Sequence, residues 1–165
     1  MTPPGAARLP ILTFHAIDGV GDVGAFPSGL FRQAIARLHQ RGVRALDLGA
    51  AAAMLRRGDA LPPRAVVLTF DDGYRSVYAD AFPVLQEYGM TATVFLAVGD
   101  PAAVAPRDRL PSLTGREMLA WGEVREMALA GIAFGAHTLT HADLTRLPVD
   151  RLETEVRRSR GVIEE

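Results

Sequence analysis

Val66-Val-Leu-Thr-Phe70, a helical stretch over residues 74–88, Gly89, and then Thr91-Ala-Thr-Val-Phe-Leu-Ala97 together decide the fold. Both apolar runs are almost unbroken, as strands buried on both faces require, and a helix between two such strands makes a parallel βαβ unit. The helix follows from Val77, Tyr78, Ala81, Phe82 and Leu85, which recur at i, i+1, i+4, i+5 and i+8 and form one stripe. Pro83 lies inside that stretch and is expected to kink or split it, because it lacks an N–H and its ring crowds the preceding turn. Gly89 suits the left-handed position at which helices end.

The same junction of helix, Gly and apolar strand recurs on either side. Residues 31–40 lead through Arg41-Gly42 into a strand over 43–47, and residues 121–130 lead through Gly131 into one over 132–136. With 9–15, 65–70 and 91–97 this makes five strand candidates in an α/β pattern. Thr114-x-x-Glu117 has the form of a capping box opening a helix that Trp121-Gly122 would break. Near Pro148 a last helix begins, with Val149, Leu152, Val156 and Ile163 on one face. Arg157, Arg158 and Arg160, with Glu153, Glu155, Glu164 and Glu165, read as its solvated side. The stretch 99–111, rich in Pro and charge, reads as a loop, and residues 1–8 as a flexible N-terminus.

Composition narrows the function classes. The 165 residues fit one domain, and 48% hydrophobic with 22% charged residues excludes a disordered chain. Every one of the 18 basic residues is Arg, but 19 acidic residues leave a net charge of -1, so no nucleic-acid partner is expected. No Cys is present, which excludes disulfides, thiol chemistry and thiolate-held metals. Any metal must use carboxylates and the four histidines His15, His39, His137 and His141. The start carries no cationic leader, and the apolar stretch 9–17 is interrupted by Pro10 and His15. No run approaches a membrane span. The expectation is a cytoplasmic location for the sequence as it stands, or a secreted or cell-envelope one if a leader has been trimmed.

Two strand ends carry candidate chemistry. The first strand end is Thr69-Phe-Asp71-Asp72-Gly73, where two adjacent acids repel unless a cation or a reaction uses them. Asp-Asp-Gly is also ordinary turn chemistry. The second is His137-Thr-Leu-Thr-His141, whose two imidazoles can face one point and bind a divalent metal, although such pairs also arise by chance. Both lie at C-terminal ends of parallel strands, hence at one rim, where α/β folds collect ligands. Two His and one carboxylate form a ligand set for a catalytic divalent metal with an open position, and the second carboxylate is left over as a base.

Thr69-Phe-Asp-Asp-Gly73 and His137-Thr-Leu-Thr-His141, in that order, resemble the first two motifs of the NodB-homology polysaccharide deacetylases. The opening Ile11-Leu-Thr-Phe-His15, the approach Pro62-Pro-Arg-Ala-Val-Val-Leu and the Tyr74-Arg-Ser-Val-Tyr that follows are similar to the poly-N-acetylglucosamine deacetylase subgroup. The resemblance implies a deformed (β/α) barrel and metal-dependent removal of N-acetyl groups from a carbohydrate substrate. It implies Asp72, His137 and His141 as ligands of a divalent ion, Zn²⁺ first and Co²⁺, Ni²⁺ or Mn²⁺ as alternatives. It implies Asp71 as the general base toward a metal-activated water. His15 and Thr138 are expected to support the site. His39 is expected at the surface, and Trp121 and Phe95 in packing roles.

Later motifs of the family, including a Leu-x-x-His that supplies a general acid, have no counterpart after His141. A complete (β/α)8 barrel takes about 250 residues. The expectation is therefore a deacetylase-like domain over 9–165 that lacks the C-terminal part of the barrel. An open barrel edge would favour association into oligomers. Two alternatives stay open: a deacetylase completed by further sequence, or a catalytically incomplete fragment that binds metal or sugar.

Overall fold

The computed structural model describes residues 9–19, 24–99, 109–112 and 115–164. Five parallel strands build the sheet: β1 (Ile11–Phe14), β2 (Arg44–Ala45), β3 (Ala65–Phe70), β4 (Thr93–Leu96) and β5 (Ala133–Ala136). Their order is β1-β3-β4-β5, and β2 pairs with the start of β3. Among the described residues the sheet is open, with β1 and β5 at its edges. It is the five-stranded α/β arrangement expected, an unclosed barrel.

β3 is buried along its whole length and β4 nearly so, which accounts for their unbroken apolar runs. Phe14, Phe31 and Phe70 pack edge-on or stacked over one end of the sheet, with ring centroids 5.3–5.8 Å apart. The edge strands differ. Ile11 and Leu12 of β1 are exposed, and β5 is only half-buried although its sequence is apolar.

The helices are α1 (Ser28–Gln40), α2 (Leu48–Arg57), α3 (Phe82–Glu87), α4 (Trp121–Leu129) and α5 (Val149–Glu164). Gly42, Gly89 and Gly131, the three junction glycines, all have positive φ, as their helix-ending role requires. Pro83 does split its stretch. Residues Val77–Ala81 form a wider π-type turn closed by Phe82 N–H donating to Val77 O, and α3 begins beyond it with Pro83 in its first turn.

α2 was not anticipated: its Ala-rich run has little periodicity, but Asp47 caps it by accepting from Ala50 N–H at 2.8 Å. Thr114 lies outside the described residues, and no helix opens among the described residues just beyond it. Residues 115–120 instead run as bends and isolated bridges, and α4 starts at Trp121 rather than breaking there. Its first turn is capped by Glu123, which accepts from Ala120 N–H at 2.8 Å. Most of the expected 99–111 loop and the N-terminal residues 1–8 also lie outside the described residues.

α5 holds the largest correction. Val149, Leu152 and Val156 are exposed, whereas Glu155 and Ser159 are buried and Val162 and Ile163 pack on the core. The docked face is about a quarter turn from the apolar stripe, at 100° per residue. Glu155, expected in solvent, faces the turn after β5 instead. No helix among the described residues is long and apolar enough to cross a membrane.

Candidate metal centre

Parallel register brings the strand ends to one rim. Phe14 pairs with Phe70 and Leu96 with Ala136, so the residues that follow each strand emerge side by side. Asp71 N–H donates to Phe14 O, and His137 N–H to Leu96 O, carrying the register one step past the strands.

Beyond Phe70 the backbone turns sharply. Asp72 and Gly73 have φ of 75° and 86°. Asp tolerates the left-handed region better than most residues, and Gly73 is needed next because a Cβ there would meet Leu110 Cδ1 at 2.7 Å and Leu96 Cδ2 at 2.9 Å. The turn buries the Asp72 side chain and leaves Asp71 half-buried. After β5 the turn is built likewise: Thr138 (φ 67°) and His141 (φ 59°) are left-handed, and His141 N–H donates to Thr138 Oγ1 at 2.9 Å. Leu139, buried in the core, anchors the turn from inside.

The result is one cluster. The nearest Asp72 oxygen, Oδ1, lies 3.5 Å from His137 Nε2 and 3.2 Å from His141 Nε2. One donor atom from each of the three residues falls within 4.8 Å of the others. Asp72 Oδ1 is buried and makes no hydrogen bond. A buried carboxylate oxygen without a donor is costly, and a cation between the three side chains would satisfy it. Ligands about 2.0–2.2 Å from a tetrahedral ion stand roughly 3.3 Å apart, which the two oxygen–nitrogen separations bracket. The three residues therefore fit a divalent metal. His137 is partly exposed and His141 exposed, so the far side of the cluster is open to a substrate.

His15 Nε2 lies 3.9 Å from Asp71 Oδ2, beside the cluster rather than among the three ligand candidates. A small cavity of about 60 Å³ adjoins them, lined by His15, Ala25, Asp72, Tyr74 and Arg116. His39 is exposed on α1, and Trp121 packs against the core.

Sequence reading missed Glu155. Its Oε2 accepts from Leu139 N–H at 2.9 Å and Thr140 N–H at 2.8 Å, and its Oε1 from Thr140 Oγ1 at 2.6 Å. Burial pushes this carboxyl up, but the hydrogen bonds from Thr140 and Leu139 and the nearby Arg151 outweigh it and hold it below the usual glutamate value. Glu123, on α4, behaves alike. Burial raises it, while the Ala120 N–H and the guanidinium groups of Arg75 and Arg109 bring it below the ordinary value.

A sequence-family model described as polysaccharide deacetylase matches residues 58–165. YxkH of Bacillus subtilis is 32% identical over 158 residues, 96% of this chain and 52% of that protein. The poly-beta-1,6-N-acetyl-D-glucosamine N-deacetylase of Escherichia coli is 36% identical over 113 residues, 65% of this chain and 16% of the enzyme. The chain thus spans about half, or less, of these relatives. Among solved structures, the Streptococcus pyogenes deacetylase PplD, in complex with acetate, superposes with a TM-score of 0.81 at 24% identity, over 96% of this chain and 68% of that one, a likeness of fold. IcaB from Ammonifex degensii superposes with a TM-score of 0.67 at 30% identity, over 87% of this chain and 57% of that one.

Proposed function

The chain belongs to the polysaccharide deacetylase family, and on that premise we propose that it serves metal-dependent hydrolysis of N-acetyl groups on an N-acetylated carbohydrate. The observation that carries the reading is the Asp72–His137–His141 cluster with its unsatisfied buried oxygen at the C-terminal rim of the sheet.

In this reading Asp72, His137 and His141 hold the ion, Zn²⁺ first and Co²⁺, Ni²⁺ or Mn²⁺ as alternatives. A divalent ion there supplies Lewis-acid polarisation of the amide carbonyl and a water acidified to a pKa of roughly 7. Asp71, half-buried at the same rim, is the general base that takes the proton from the attacking water. His15 supports Asp71 from 3.9 Å, a separation that a shared water or a small side-chain movement closes. Thr138 holds the turn through its hydrogen bond from His141 N–H and so keeps the two imidazoles on one side. The substrate reaches the cluster from its exposed His141 side.

A second reading has one observation behind it. The chain spans 52% of YxkH, so a catalytic group outside this stretch could be needed for turnover, leaving these residues to bind metal or sugar. Acetate release from N-acetylglucosamine oligomers, with Co²⁺ or Zn²⁺ against chelator, separates the two. Deacetylation requires metal-dependent release that falls about 10²–10⁴-fold in Asp71→Asn while metal uptake persists. Release that chelator leaves unchanged would refute the metal-dependent reading, release that Asp71→Asn leaves unchanged would refute the base assignment, and metal uptake without any release favours the second reading.

A further inference from the structure

We propose that Glu155 is a positioning residue for the metal centre: a carboxylate on α5 that clamps the His137–His141 turn in its ligating geometry. The proposal rests on the metal-binding reading above and extends it to a residue that touches neither histidine.

The turn between the histidines is short and strained. Two of its five residues, Thr138 and His141, are left-handed without being glycine, a sparsely populated conformation that persists only where the surroundings hold it. Within the turn His141 N–H donates to Thr138 Oγ1, and from outside it Gly99 N–H donates to Leu139 O at 2.6 Å. Two N–H groups of the bend, those of Leu139 and Thr140, point at α5, and both donate to one oxygen of Glu155. The other oxygen takes the Thr140 hydroxyl. Three hydrogen bonds from two consecutive residues leave the bend little freedom to open. They sit between the two ligands, so any rotation of the bend separates the imidazoles.

The helix supplies a rigid base. α5 runs sixteen residues, and Ser159, Val162 and Ile163 seat it on the same side as Glu155. A Glu is suited to this work because it only accepts, and the two N–H groups only donate. Burying a carboxylate is unfavourable unless it is fully hydrogen-bonded. α5 therefore buries Glu155 toward the turn and leaves its neighbour Val156 exposed.

The test measures Co²⁺ affinity and the visible Co²⁺ spectrum in the 165-residue chain, together with amide exchange at Leu139 and Thr140. The variants are Glu155→Ala, Glu155→Met, Glu155→Gln and, as a control that loosens the same helix elsewhere, Val162→Ala. Removing the acceptor should weaken Co²⁺ binding about 10–100-fold, as loss of a group that orients ligands does, and change the spectrum. Both amides should exchange faster. Glu155→Gln should stay within about threefold of the parent, because its amide oxygen still accepts from both N–H groups. Val162→Ala should lower the melting temperature and leave the affinity in place.

Equal affinity in parent, Glu155→Ala and Glu155→Met overturns the proposal, as does Val162→Ala weakening Co²⁺ as much as they do. Failure of both Glu155→Ala and Glu155→Met to fold also overturns it, since the carboxylate would then hold the fold rather than the turn. A parent that takes up no Co²⁺ sinks the metal-binding reading itself, whereas parent uptake matched by Glu155→Met sinks this proposal alone.

Discussion

Asp72→Asn should stabilise the metal-free protein while abolishing its response to metal. In the parent, Oδ1 of Asp72 is buried, makes no hydrogen bond and faces two imidazole nitrogens at 3.2 and 3.5 Å. An unsatisfied buried acceptor costs about 1–3 kcal/mol, and more when charged. Asn is nearly isosteric, tolerates the φ of 75° at this position, and carries an NH₂ that can donate to the imidazole at 3.2 Å. A gain of about 2 kcal/mol is expected, which for a chain of this size raises the melting temperature by roughly 4–8 °C. Metal reverses the order. Free Co²⁺ at 100 times its dissociation constant stabilises a binding protein by about 2.7 kcal/mol and should do so for the parent alone. Thermal melts of both proteins, in chelator and in excess Co²⁺, read the crossover directly. An Asp72→Asn protein that melts below the parent in chelator would refute the orphan-oxygen argument. One whose melting point still rises with Co²⁺ would refute the ligand assignment.

Two further outcomes follow from the same structure. The folded-state value of Glu123 is depressed, so its stabilisation is present above the ordinary glutamate range near 4.3 and is lost as pH falls through the folded value. Melting temperature against pH should show Glu123→Gln below the parent at pH 7 and the two curves converging as pH falls below the ordinary glutamate range; parallel curves would contradict it. Gly73→Ala should cost about 2–3 kcal/mol, from left-handed strain and the approach to Leu110 and Leu96, and a denaturant midpoint unchanged from the parent's would count against the turn geometry.

The strands that position the site were legible because β3 and β4 are buried on both faces and cannot carry polar residues freely. The junction glycines were legible because only a left-handed residue ends those helices. Asp72 and the two histidines stood out by motif and by lying after strands. What the sequence hid had physical causes. Four consecutive alanines fill the middle of α2, so its faces differ little, and the Asp47 cap and Gly58 mark it. α5 turns Val149, Leu152 and Val156 of its apolar stripe away from the described chain, so a reading that buries apolar residues rotates it wrongly. Glu155 sits among arginines and glutamates on a helix and looks solvated. Its partners are two backbone N–H groups and the Thr140 hydroxyl, and these converge only after the turn has folded.

Three of the four non-glycine residues with positive φ among those described, Asp72, Thr138 and His141, lie at this one cluster. Hydrogen bonds to the sheet rim and to α5 flank them. We expect the fold to hold this site, unlike small zinc modules in which the ion completes the fold. Chelator should then empty the protein without unfolding it. The empty and loaded forms would share one architecture, and exchange between different divalent ions would proceed without refolding.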